Sequence, residues 1–235
     1  MILKESIMKL LLKTMCFSAL LVTASVALAA DTPFVGTWKV NRDKSKLVGD
    51  TVKFAPAGAL VRFTASGDSY EFKPDGSETK TRFGAALWKK IDDNTWEETD
   101  MVKGRLDAKI TWTLSDDGKT LTQHVTGDKP AGGTFDDTYS YVRIAGTKGF
   151  MGTWKDKEFK SSSSPSMLML SDVENGLVVE EPDFKLKATG HFDGNPGDVE
   201  GPSIPEGASF TLVKAGARSF KMTRTQNGKA FDVST

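Results

Sequence analysis

The sequence has 235 residues, with 31 basic and 31 acidic side chains and no net formal charge at pH 7. That balance removes the electrostatic drive toward nucleic acid or an anionic membrane surface. A single cysteine, Cys16, allows no intrachain disulfide, so the fold must rest on buried apolar surface.

Residues 1–29 read as a cleaved export signal. Lys9 and Lys13 supply a basic start, Met15–Leu28 an apolar run, and Ala27-Leu28-Ala29 the small residues at −3 and −1 that a signal peptidase accepts. The run is short for a membrane span of about 20 residues. Thr14-Met15 before Cys16 do not fit a lipid-anchor site. The expected mature chain starts at Ala30 with no thiol, carries two more acidic than basic side chains, and lies outside the cytoplasm, periplasmic or secreted, without a membrane span.

An internal repeat organises the remainder. Phe34–Phe54 lies over Phe150–Leu170 without a gap, and Phe34, Gly36, Thr37, Trp38, Lys39, Lys44 and Ser45 meet identical residues at Phe150, Gly152, Thr153, Trp154, Lys155, Lys160 and Ser161. Further matches stay collinear: Gly58–Val61 with Gly176–Val179, Asp75-Gly76 with Asp193-Gly194, and Lys103-Gly104 with Asn227-Gly228. A collinear series at nearly fixed offset means duplication. Copy one is expected over residues 30–145 and copy two over 146–235. Copy two is expected to be incomplete, because it has no counterpart of residues 112–145.

Both copies read as β. From Leu106 to Leu114 apolar residues alternate with Asp107, Lys109, Thr111 and Thr113, the period of a half-buried strand. Leu60–Thr64, Ser69–Lys73 and Leu121–Val125 read as shorter strands, with turns at Pro74–Ser77, Lys103-Gly104 and Asp116–Lys119. No mature segment has helical period. Short strands at this spacing fit an up-and-down barrel or a sandwich, and the expected fold is all-β, with tandem antiparallel up-and-down β-barrels, since closure covers the apolar face and removes edges.

Phe34-Val35-Gly36-Thr37-Trp38, followed by Asn41 and Lys44-Ser45-Lys46, resembles the start of bacterial lipocalin-like domains, exported barrels of the wider calycin group. The resemblance implies that the first-strand Trp plugs the closed end of the barrel against an Arg of the last strand. In copy one these would be Trp38 and Arg143, with Gly36 as the shared glycine. In copy two Gly152 and Trp154 match the motif, and Trp154 has no Arg partner of its own. The family implies a fold and a cup, not a chemistry.

Little in the sequence points to catalysis. His124 and His191 read as surface residues, and no set of His, Cys, Asp or Glu stands at ligand spacing, so no metal site is expected. A haem on one barrel histidine is the remote alternative. The doublets Asp92-Asp93, Glu97-Glu98, Asp116-Asp117, Asp136-Asp137 and Glu180-Glu181 read as turn or surface charges, because neighbours on a strand point to opposite faces. Ser161–Ser164 lack a nucleophile elbow, and Lys129–Thr134 lacks the Lys-Ser/Thr of a phosphate loop and reads as a hairpin loop. The expected function is non-catalytic binding of a small hydrophobic ligand in the barrel, with no cofactor and with unidentified ligand-contacting residues. The alternatives are an interaction module with filled barrels and, behind it, an enzyme on the same barrel.

Overall fold

A computed structural model describes residues 33–39, 51–65, 68–161 and 167–234. The chain divides into two units, Met1–Val35 and Gly36–Thr235. Of the first only residues 33–35 are described, so the expected export signal with Cys16 lies outside the described residues, as do Asn41 and Lys44-Ser45-Lys46. The second unit is all-β. Its described residues form two antiparallel sheets, and the one helical element among them is a 3-10 turn at Pro182–Phe184.

The larger sheet has ten strands and forms a nearly closed up-and-down barrel. They are β2 (Thr51–Ala57), β3 (Leu60–Ala65), β4 (Asp68–Phe72), β5 (Asp75–Lys80), β6 (Ala85–Lys90), β7 (Thr95–Val102), β8 (Arg105–Leu114), β9 (Thr120–Asp128), β10 (Thr134–Lys148) and β11 (Met151–Ser161). Each pairs with its successor except at β4 and β5, which flank a seam, and β11 closes the ring by pairing with β2. The expected hairpin loop at 129–133 joins β9 to β10.

The smaller sheet has eight strands. β1 (Gly36–Lys39) stands first, followed by β12 (Met167–Val173), β13 (Gly176–Glu181), β14 (Leu186–His191), β15 (Pro196–Glu200), β16 (Ala208–Gly216), β17 (Ser219–Gln226) and β18 (Lys229–Ser234). Among the described residues this sheet is open between β1 and β18, where β9 and β10 stand in the barrel.

The sheets do not divide where the repeats do. The opening strand of copy two, β11, completes the barrel of copy one, while the opening strand of copy one, β1, pairs with β12 of copy two. The exchange keeps register. Gly152 faces Phe54 in the barrel, Gly36 faces Leu170 in the second sheet, and Phe54 and Leu170 are themselves repeat equivalents. A tight turn at Gly149-Phe150 folds β11 directly back on β10, and so short a loop costs little closure entropy. The repeat is visible in the turns as well. Lys103 and Asn227 share a left-handed φ near +50° (51° and 49°) before Gly104 and Gly228. Asp75 and Asp193 each accept a backbone N–H two residues on, at 3.0 and 2.9 Å.

The closed end of the barrel is filled with aromatic rings. Phe54 packs against Phe63, Trp88, Trp96, Trp112 and Phe150 with centroids 5.0–6.0 Å apart, and Phe150 stacks on Trp96 at 4.5 Å. Ala108, Ile110, Trp112 and Leu114 face inward as their alternation predicts. Leu106, expected inward with them, is exposed. Asp100 pairs with Ala108 and Met101 with Leu106, so Asp107 is an extra residue in the strand. Such a bulge flips the facing of what precedes it.

Candidate functional site

The plug at the closed end is Trp154, not Trp38. Trp154 is fully buried, whereas Trp38 on β1 is 49% exposed. The Arg143 Cζ lies 4.0 Å from the Trp154 ring centroid. Its guanidinium donates from Nε to the Gly118 carbonyl at 2.7 Å, from Nη1 to Met151 at 2.9 Å and from Nη2 to Gly149 at 2.6 Å. Trp154 Nε1 donates to the Phe150 carbonyl at 3.0 Å. A Cβ on Gly152 would stand 2.5 Å from the Ala145 carbonyl oxygen and 2.7 Å from Arg143 Nη1, while one on Gly36 would meet, among the described residues, only Trp38 Nε1, at 3.9 Å. All five residues of the sequence motif are therefore placed, but Gly152, Trp154 and Arg143 form one plug, and Gly36 and Trp38 sit on the other sheet.

Above the aromatic plug the barrel is hollow. A cavity of about 920 Å³ runs from the barrel interior to the inner face of the second sheet. Its walls are apolar over Phe63, Ile110, Val125 and Phe135 in the barrel and over Val179 and Phe210 beyond it. The sheets are tied beside it by the Lys129–Asp183 ion pair at 2.9 Å and by contact of Phe135 with Phe184.

Glu98 anchors a polar network inside this cavity. It is 5% exposed, accepts from Tyr70 Oη at 3.0 Å and from Trp112 Nε1 at 2.9 Å, and Trp88 Nε1 donates to Tyr70 Oη at 3.1 Å. Burial, then the charge of Asp100, raises the Glu98 carboxyl well above the usual carboxylate range. Burial and the Asp107 charge push Asp100 up to about 6. Burial first, and then Glu98, raise the Tyr70 phenol. The pair Glu98 and Asp100 are two apart on β7 and share its inner face.

On the opposite wall Asp137 and Asp156 line the same cavity beside Tyr139, whose phenol is raised by burial and then by the charges of these two carboxylates. Asp137 Oδ1 and Asp156 Oδ1 are both shielded from solvent and accept no hydrogen bond.

These acids correct the surface reading of the doublets. In Glu97-Glu98 and Asp136-Asp137 the strand turns one carboxylate out and the other in. Asp136 pairs outside with His124 Nε2 at 2.8 Å, both side chains about half exposed, while Asp137 lines the cavity. The readable signal was the spacing Trp96-x-Glu98-x-Asp100 on one strand face. His191 is exposed and donates from Nδ1 to the Glu174 carbonyl at 2.8 Å. Among the described residues no His, Cys, Asp or Glu cluster could hold a metal ion, and no helix is long and apolar enough to cross a membrane.

Comparison with protein-family models, with curated proteins and with solved structures finds no match.

Proposed function

We propose that this protein is an exported binding protein that holds a small, largely apolar molecule in the barrel cavity without turning it over. The observation that carries the reading is the cavity. Its volume of about 920 Å³ suits a ligand site, and its mainly apolar wall with a few convergent polar groups is the usual make-up of one. A barrel that served only to display loops would be filled by side chains through its length, whereas here the rings fill one end and leave the other open. The resemblance of the Gly-Thr-Trp strands to lipocalin-like domains supports the same reading.

The Glu98–Asp100 pair favours a second reading, acid–base catalysis, because raised carboxyls in a cavity mark functional sites. Both Glu98 oxygens are already engaged by Tyr70 and Trp112, which suits a rigid polar wall better than a proton-transfer group, so binding is preferred.

Native mass spectrometry and organic extraction of protein purified from its own host test the proposal. A stoichiometric small-molecule adduct that restores thermal stability when added back supports it. Clean apo protein, with no shift from a panel of neutral, anionic and cationic lipids, overturns it. Export is tested separately by N-terminal sequencing, which should read from Ala30.

A further inference from the structure

We infer that the ligand is a cationic amphiphile, with an ammonium or guanidinium end seated against Asp137 and Asp156 and an apolar body extending toward the second sheet. The inference rests on the binding reading above and names the ligand's chemistry.

Two paired strands of the barrel deliver these acids to one cavity: Asp137 from β10 and Asp156 from β11. A carboxylate oxygen withdrawn from water costs free energy unless it is paired or accepts a hydrogen bond. Asp137 Oδ1 and Asp156 Oδ1 do neither. Two arginines, Arg82 and Arg224, line the same cavity, but Arg82 donates to the backbone carbonyls of Gln226 and Lys229 and Arg224 stands 4.0 Å from Glu181, so neither pairs with Asp137 or Asp156. A cation entering the cavity would meet these carboxylates, with low-dielectric walls concentrating the field on it. An anionic head would meet like charge in the same field, so a fatty-acid carboxylate is the wrong partner. Beside them the Tyr139 phenol is raised by burial and then by the charges of Asp137 and Asp156. Past the acids the cavity is lined by Val179, Ala188, Phe210 and Met222 of the second sheet, which gives an alkyl body an apolar bed.

The test uses three probes with one chain length, dodecylammonium, dodecanol and dodecanoate. Each is titrated below its micelle concentration into the full mature protein at pH 7.5 and followed by calorimetry. Dodecylammonium should bind at least about tenfold tighter than dodecanol, the gain expected from charge-assisted hydrogen bonds, and dodecanoate should bind weakest. The double variant Asp137→Asn, Asp156→Asn should lose about tenfold for dodecylammonium and keep its dodecanol affinity. Circular dichroism and a thermal melt check that it folds, and the single variants Asp137→Asn and Asp156→Asn should each lose part of the same preference. Equal binding of all three probes overturns the head-group assignment and leaves the binding reading standing. An ammonium preference that survives in the double variant also overturns the assignment. Binding of none of the probes overturns both.

Discussion

The Arg143 guanidinium lies over the Trp154 ring, with Cζ 4.0 Å from the ring centroid, although the first belongs to copy one of the repeat and the second to copy two. The pair locks the closed end of the barrel. Each nitrogen of the Arg143 guanidinium donates to a carbonyl, Gly118 in the β8–β9 turn and Gly149 and Met151 at the β10–β11 turn, so the cation–π contact is made by a hydrogen-bonded cation.

Trp154→Ala should cost about 3–5 kcal/mol, the range for deleting a buried aromatic side chain. Trp38→Ala should cost less than about 1 kcal/mol, as surface changes do. Urea denaturation of the two variants decides between them. Equal losses would contradict the strand exchange.

The motif glycines should separate in the same way. Gly152→Ala forces a methyl against the Ala145 carbonyl and Arg143 Nη1, whereas among the described residues Gly36→Ala meets only Trp38, at ordinary contact distance. Both residues have φ in the region that disfavours L side chains, 156° and 142°, so both substitutions carry backbone strain. Only Gly152→Ala adds a collision with backbone, and its thermal midpoint should fall clearly further than that of Gly36→Ala.

A fragment comprising residues 51–161 should fold as the barrel, and a fragment comprising residues 30–145 should not. The second lacks β11, and with it Phe150, Trp154 and the strand that joins β10 to β2. Near-ultraviolet circular dichroism of the packed tryptophans is the readout. A native-like spectrum from residues 30–145 would mean that β1 can stand in for β11.

Asp100 should make the protein less stable as pH rises. Its carboxyl is raised to about 6 by burial and by Asp107, so between pH ~4 and ~6 the folded protein keeps a proton that the unfolded chain releases. Stability from this group is present below that window and is lost on passing through it, on the order of 3 kcal/mol at most. Asp100→Asn should therefore match the parent near pH 4 and exceed it at pH 7.5 in denaturant melts. The exposed Asp75 and Asp193, whose carboxyls are lowered by hydrogen bonds, act in the opposite sense in both proteins and cancel in the comparison.

Amide exchange should be faster in β18 than in its repeat equivalent β8. Among the described residues β18 pairs only with β17, while β8 is held on both sides by β7 and β9. Equal protection would mean that β18 has a second partner.

The sequence by itself determined what depends on local pattern. Alternation from Ala108 to Leu114 specified strand and facing, because side chains on a strand point to opposite faces in turn. Glycines and aspartates marked turns, because they supply positive φ or bond their own backbone. The duplication was visible as identities at fixed spacing. Three things were decided only by the tertiary structure. Gly-Thr-Trp occurs twice, so the sequence could not say which copy enters the barrel. The short hairpin from β10 to β11 chose Trp154, because closing a short loop costs the least entropy. The bulge at Asp107 reversed Leu106, because one extra residue shifts the facing of what precedes it. Glu98 and Asp100 of β7 line one cavity with Asp137 of β10 and Asp156 of β11 because strands distant in sequence close around it, and a charge doublet read along the chain does not reveal which of its members faces in.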